Sequence, residues 1–166
     1  MIKTFIILAL QTFCNSFKLL PNLVCDLPKT FEPCRDINKR LLNIVKDVFS
    51  NLQYGGLPIF LDKSNNTICS TDYAHYGQML YNPTSSTSTT DLLFKNSIVY
   101  TPTTAYNVVL HEALHSLGLD HNDGEFGMMN YAVSENWYGA LNNDERKLWI
   151  SIDDIRGISQ NCKNYL

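Results

Sequence analysis

Three of the four histidines in this 166-residue chain lie within the eleven residues HEALHSLGLDH (111–121). His111 and His115 are four residues apart, so an α-helix places both imidazoles on one face in successive turns. His121 follows six residues later and would point away from the pair on a straight helix. The chain must therefore bend, and Gly118 can adopt the left-handed conformation that such a bend needs. The segment predicts a helix, a turn at Gly118 and three imidazoles directed at one point.

Three neutral imidazoles with an open fourth position form a ligand set typical of catalytic rather than structural zinc sites. Glu112 lies about 100° around the helix from His111, where its carboxylate can contact a water on the ion without ligating the ion. Zinc lowers the pKa of such a water towards about 7, so Glu112 can accept its proton and pass it to a leaving amine. The pattern predicts a zinc hydrolase with Glu112 as general base. A coincidental pattern on a solvated helix face is the alternative.

Two long helices are expected. Apolar residues recur with helical period after Asp36, which predicts an amphipathic helix capped by Asp36 and ended by the Gly-Gly pair at 55–56. The helix that carries the histidines is expected to begin at a cap provided by Thr101 or Thr103 and to run to about Leu117.

Shorter elements follow from the same reasoning. Ser151 can cap a third helix, whose expected buried stripe is Ile152, Ile155 and Ile158. Candidate strands are the segments 57–61, 73–81 and 98–100. The segment TSSTSTT (84–90) has no apolar side chain and is expected to be a surface loop.

The first sixteen residues contain Lys3, an apolar stretch and then small residues, an order typical of a secretory signal peptide. A buried N-terminal strand or short helix is the alternative. The stretch is too short to span a bilayer, which needs about 20 residues. We therefore expect residues 1–16 to be removed and the protein to be secreted, without a membrane anchor.

Four cysteines remain after residue 16, and an even number in an oxidising compartment indicates two disulfides with three possible pairings. They are Cys25, Cys34, Cys69 and Cys162. Free buried thiols are the alternative. Asn65 begins an open N-x-[ST] sequon and is a candidate glycosylation site.

The composition supports one globular domain and excludes several classes of protein. Apolar residues make up 45% and charged residues 17% of the chain, which excludes a disordered protein. The net charge is −3 and no cluster of basic residues is present, so neither nucleic acid nor an anionic membrane is an expected partner. No internal repeat is visible.

HEALHSLGLDH matches the pattern HExxHxxGxxH of the metzincin zinc peptidases, and within them it resembles the matrixins, the matrix-metalloproteinase family. The resemblance implies that Met129, eight residues after His121, is the Met-turn methionine beneath the zinc. Asn107, four residues before His111, lies where the family sets the depth of the S1′ pocket. The segment IDDIRGI (152–158) is similar to the DDI-x-GI of the family, which implies structural roles for Asp153 and Asp154.

The resemblance implies an α+β, metzincin-like zincin fold: a twisted mixed sheet with two long helices and a small C-terminal subdomain carrying a third helix. Residues 36–166 would form a minimal catalytic domain. The segment 17–35 leaves no room for a full prodomain. Cys25, in VCDLP, faintly resembles the family's cysteine switch, so ligation of zinc by Cys25 is an alternative to a disulfide.

The function implied is that of a secreted, monomeric zinc endopeptidase that hydrolyses extracellular or structural proteins, including matrix-type proteins. One catalytic zinc is expected. Only His75 lies in the segment where the family binds a structural zinc and calcium, so the sequence gives no grounds to expect those ions. A catalytically silent zinc-binding module is the alternative, although the presence of Glu112 favours an enzyme. Another metzincin subfamily also stays open, because Asn122 does not discriminate among them.

Overall fold

The computed structural model describes residues 17–23, 25–72, 77–83, 88–96, 101–121, 128–129 and 150–163. Within these residues the protein is α+β, as predicted. The helices are α1 (Lys39–Tyr54), α2 (Pro102–Ser116) and α3 (Ile152–Asn161). The strands are β1 (Lys18–Leu19), β2 (Cys25–Asp26), β3 (Lys29–Pro33), β4 (Ile59–Leu61), β5 (Thr67–Thr71), β6 (Gly77–Pro83), β7 (Ser88–Lys95), β8 (Leu119–Asp120) and β9 (Cys162–Lys163).

Five strands form a mixed sheet in the order β4-β3-β5-β7-β6. The first four are parallel, and β6 pairs with β7 in the antiparallel direction at one edge. Helix α1 packs against β4 and α2, and α2 packs against β6 and β7, so the apolar core lies between the sheet and the two helices. Two short pairs stand apart from this sheet: β1 is antiparallel to β8, and β2 is parallel to β9.

Helix α1 begins later than the sequence suggests. The predicted cap, Asp36, is wrong: Asn38 caps the helix, because its Oδ1 accepts hydrogen bonds from the backbone N–H groups of Arg40 (2.9 Å) and Leu41 (3.4 Å). The predicted end is confirmed, since Gly55 is the C-cap and Gly56 has a φ of +88°.

Helix α2 follows the prediction closely. Its cap is Thr101, whose hydroxyl accepts from the backbone N–H of Thr104 at 3.2 Å, and this removes the alternative cap at Thr103. The helix ends at Ser116, and Gly118 has a φ of +91°, as the predicted bend requires.

Helix α3 has the predicted start and a different buried face. Ser151 and Asp154 form a reciprocal capping box, in which each side chain accepts a hydrogen bond from the other's backbone N–H. The predicted apolar stripe is wrong at two positions, because Ile152 is 70% and Ile155 42% exposed. Asp154, Gly157 and Ile158 form the buried face instead, since the capping box turns Asp154 inward.

The strands were only partly foreseeable. Residues 59–61 of the predicted strand 57–61 form β4, and residues 77–81 of the predicted strand 73–81 belong to β6. The predicted loop 84–90 is wrong at residues 88–90, which begin β7 with Thr90 buried. Residues 73–76, 84–87 and 98–100 lie outside the described residues, as do the predicted signal peptide (1–16) and His75. The segment 17–35, for which no strand is predicted, contributes β1, β2 and β3.

Two disulfides are present, as predicted, and the structure selects one pairing of the three. Cys25 is bonded to Cys162, and Cys34 to Cys69. Cys25 is therefore not a thiolate available to zinc, so the alternative based on the cysteine switch is wrong for this form of the protein. Disulfides of this kind are typical of chains that fold in an oxidising compartment. Among the described helices, none is long and apolar enough to cross a lipid bilayer.

Lys29 connects the sheet to the end of α2. Its side chain is buried, and Nζ donates to the carbonyl oxygen of Ser116 at 2.6 Å and to Oγ1 of Thr90 at 3.1 Å. Burial lowers the pKa of Lys29 from 10.5 to about 8, while the charge of Asp26 acts in the opposite direction.

Candidate metal centre

Helix α2 is enclosed by protein around its whole circumference. All twelve residues from Ala105 to Ser116 are buried. Most are apolar, as expected for a helix between a sheet and a second helix. Five of these buried residues carry polar or ionisable side chains: Asn107, His111, Glu112, His115 and Ser116.

The three predicted ligands converge. One ring nitrogen from each of His111, His115 and His121 lies within 4.8 Å of the other two, and the Nε2 atoms of His111 and His121 are 2.9 Å apart. The His115 ring is roughly perpendicular to the other two rings, at 86° and 79°. The bend at Gly118 therefore brings His121 back to the pair on α2, as the sequence predicts.

Backbone carbonyls orient two of the imidazoles. Nδ1 of His111 lies 2.9 Å from the carbonyl oxygen of Met128, and Nδ1 of His115 lies 2.7 Å from that of Leu119. A carbonyl oxygen can only accept, so in each ring Nδ1 is the donor and carries the proton. The neutral ring then has an unprotonated Nε2, which is the form that binds a metal ion.

The electrostatics favour neutral imidazoles. Burial and the neighbouring His115 lower the pKa of His111 to about 3. Burial is also the main reason that the pKa of His115 falls to about 4, and it lowers the pKa of His121. All three side chains are therefore unprotonated at neutral pH, as a metal ligand must be.

Glu112 lies between α2 and the edge strand β6. Burial raises its pKa from 4.5 to about 8, and a hydrogen bond with the backbone of Met79 acts in the opposite direction. The contact with β6 depends on Gly77, where an added Cβ would lie 2.9 Å from Cγ and 3.2 Å from Oε1 of Glu112. A buried carboxyl group with a strongly shifted pKa, beside three converging imidazoles, is a candidate for proton transfer.

The other predicted residues have these positions. Asn107 is buried one turn before His111 on α2, and Met129 is fully buried beside Met128. Asp154 is fully buried in the capping box of α3, whereas Asp153 forms an ion pair with Arg156 at 3.1 Å. Asn65 is exposed in the connection between β4 and β5. The roles proposed for Asn107, Met129 and Asn65 stay predictions.

Sequence reasoning missed three contributors to the centre. The carbonyls of Met128 and Leu119 orient two imidazoles, and no side-chain pattern reports on a backbone acceptor. Gly77 lies in a predicted strand, and an isolated glycine in a strand signals close approach of another element, so the sequence does contain a signal for this contact.

The donor set fits a transition-metal ion. Three imidazole nitrogens suit zinc, copper, nickel or iron, and calcium and magnesium prefer oxygen ligands. A metal ion can therefore be held by three histidines, and its identity is not fixed by the geometry. No protein-family model matches the sequence, and no curated protein matches it significantly. Any assignment of function must then come from the chemistry of the site.

Proposed function

We propose that the protein is a secreted zinc endopeptidase of metzincin type, similar to the matrixins. The observation that carries the proposal is the convergence of His111, His115 and His121 beside the buried carboxyl group of Glu112. The carbonyl acceptors of His111 and His115 add support, because a second-shell partner on Nδ1 is typical of metal-binding histidines.

Zinc held by the three Nε2 atoms would activate a water molecule as nucleophile and polarise the peptide carbonyl. Glu112 would accept the proton of the nucleophilic water on its carboxylate oxygen and deliver it to the nitrogen of the leaving amine. Burial alone raises the pKa of Glu112 to about 8, and the charge of a zinc ion nearby would lower this pKa and favour the carboxylate that accepts the proton. Burial on α2 excludes bulk water from the carboxyl group and strengthens its interactions.

The edge strand β6 would bind the substrate. Within the described part of the sheet it pairs with β7 on one side only, and it passes directly against Glu112 at Gly77. An extended peptide can add to such an edge through backbone hydrogen bonds, which brings a scissile bond next to the site without demanding one sequence. Asn107, buried one turn before His111, would contribute to selection of the residue after the cleaved bond.

Secretion is the expected context. The two disulfides are compatible with it, and the N-terminal sequence supports it through the order of basic, apolar and small residues. Extracellular or structural proteins are then the proposed class of substrate.

The decisive experiment compares residues 17–166 with the variants Glu112→Gln and Glu112→Ala in a mixed peptide library, with zinc and with a chelator. The wild type should generate new peptide termini, and both variants should lose about 10²–10⁴-fold in rate because general acid–base transfer is removed. Both should still bind zinc, since no ligand is changed. Zinc binding by the wild type without any cleavage would refute the peptidase proposal and leave a metal-binding module.

A further inference from the structure

The turn between the second and third imidazoles is held by three different parts of the chain. The carbonyl oxygen of Leu117 accepts from Nδ2 of Asn161 at 3.0 Å, and that of Gly118 accepts from the backbone N–H of Leu20 at 2.8 Å. The carbonyl oxygen of Leu119 is the 2.7 Å partner of His115. Three successive carbonyls therefore link the turn to α3, to the N-terminal segment and to a predicted metal ligand.

Asn161 is the side chain that joins these parts. Its Nδ2 also donates to the carbonyl oxygen of Leu23 at 3.2 Å, so the two hydrogens of one amide nitrogen bind two separate segments. An aspartate has no such donor at neutral pH, and a serine has only one. The residue type is therefore matched to the double contact.

Packing leaves this turn little freedom. A Cβ added at Gly118 would overlap the amide nitrogen of Asn161, and the φ of +91° at Gly118 independently disfavours any other residue. The side chain of Asn161 thus lies directly on the bend that redirects the chain from α2 to His121.

Asn161 is itself held firmly. It is the last residue of α3 and precedes Cys162, which is bonded to Cys25 and pairs with it in the β2–β9 ladder. The strand after the bend is held from the other side, because β1 pairs Leu19 with Leu119. The bend therefore lies between two anchored neighbours, and Asn161 is the side chain that fixes its first carbonyl.

We propose that Asn161 is a positioning residue for the metal centre: it holds the turn 117–121 so that His121 meets His111 and His115. The inference rests on the metal-binding part of the proposed function and not on peptide cleavage. Removal of a residue that hydrogen-bonds directly to a metal ligand changes metal affinity by about 10–100-fold, and we expect the lower end of this range for Asn161, which acts through the backbone of the turn.

The test is a double-mutant cycle on zinc affinity, measured by titration calorimetry with zinc alone on the metal-free protein, residues 17–166. The four proteins are the wild type, Asn161→Ala, His121→Ala and the double variant. Asn161→Ala should weaken zinc binding at least tenfold in the wild type and less than threefold when His121 is already absent. Ser159→Ala, an exposed position on α3 with one hydrogen bond to the carbonyl of Arg156, is the matched control and should change nothing.

If Asn161→Ala does not fold, Asn161→Ser replaces it, since one of the two donors is kept and an intermediate loss of affinity is expected. Unchanged affinity in Asn161→Ala, with only a lower melting temperature, would overturn the proposal. An equal loss in both backgrounds would also overturn it, because the effect would not pass through His121. A wild type that binds zinc but cleaves nothing refutes the peptidase alone, whereas failure to bind zinc refutes both proposals.

Discussion

Helices α1 and α2 lie side by side and use their surfaces in opposite ways. α1 buries a single stripe of apolar side chains and presents its remaining residues to solvent: the buried set is Leu41, Ile44, Val45, Val48, Phe49 and Leu52. α2 buries every residue from Ala105 to Ser116, and ionisable groups are among them. Helix α1 therefore packs against the core with one face, whereas α2 is buried on all sides from Ala105 to Ser116.

The difference separates stability from function. Each buried residue of α1 is apolar and contributes favourable transfer free energy. Burial of His111, Glu112 and His115 carries a desolvation cost, visible in pKa values lowered for the histidines and raised for the carboxyl group. Ionisable groups kept at such a cost mark a functional site more often than an ordinary core. The comparison therefore indicates a packing role for α1 and places the candidate metal site on α2, and substitutions can test that division.

The largest expected effect on stability is in α1. Phe49 is 1% exposed, and its ring centroid lies 5.8 Å from that of Phe31 on the sheet. Phe49→Ala should lower the free energy of unfolding by about 3–5 kcal/mol, because it removes buried surface and leaves a cavity. Urea denaturation measures this loss, and zinc affinity of the folded fraction should stay within twofold of the wild type.

Lys46→Ala, on the exposed face of α1, is the control for Phe49→Ala and should stay within about 0.5 kcal/mol of the wild type. The division between the helices would be contradicted if Phe49→Ala weakened zinc binding tenfold without changing the free energy of unfolding. In that case α1 would take part in the site.

The same two helices show what the sequence can predict. The spacing of residues predicts both helices. Apolar residues recur with helical period in α1, and the positions of the histidines and of Gly118 predict α2 and its end. The sequence predicts the cap of α1 two residues too early, because Asp36 and Asn38 can both cap a helix and the choice between them depends on tertiary contacts. Asn38 is fixed by such a contact, since its backbone N–H donates to Oγ of Ser70 at 3.1 Å.

The rest of the fold and site depended on long-range contacts. The sequence predicts a loop at Thr90, but Thr90 is buried in β7, where its hydroxyl accepts a hydrogen bond from Lys29, 61 positions away. The disulfide pairing and the carbonyl partners of His111 and His115 are likewise set by the path of the backbone. Side-chain spacing predicted that the three histidines converge beside Glu112, but it could not predict the backbone groups that orient the imidazoles.

The next effect concerns Lys29, which couples the sheet to the last turn of α2. The unfolded chain keeps this proton up to about pH 10.5, whereas the folded protein releases it near pH 8, so the unfolded state binds more protons between these values. Stability must therefore rise with pH in that window. At about 1.4 kcal/mol per unit, the buried ammonium costs about 3 kcal/mol at pH 7.

The measurement is the free energy of unfolding of the wild type and of Lys29→Met, determined by denaturation at pH 7.5 and at pH 10. Between pH 7.5 and pH 10, the free energy of unfolding of the wild type should rise relative to that of Lys29→Met by most of the 3 kcal/mol. Lys46→Met, on the exposed face of α1, should follow the wild type. A constant difference between wild type and Lys29→Met would show that the ammonium of Lys29 titrates alike in the folded and unfolded chains.

The smallest effect tests whether the two helices communicate. Nδ2 of Asn51 on α1 donates to the hydroxyl oxygen of Tyr106 on α2 at 2.9 Å, and Tyr106 is 7% exposed. Tyr106→Phe should cost about 0.5–1.5 kcal/mol of stability, near the lower end because the exposed Asn51 can turn to water. In a double-mutant cycle with Asn51→Ala, most of that loss should appear as the interaction energy between the two side chains. Tyr106 is five residues before His111 and not on the same face of α2, so zinc affinity should not change. A tenfold fall in zinc affinity would mean that this hydrogen bond transmits the position of α1 to the three histidines. The division of roles between the two helices would then be wrong.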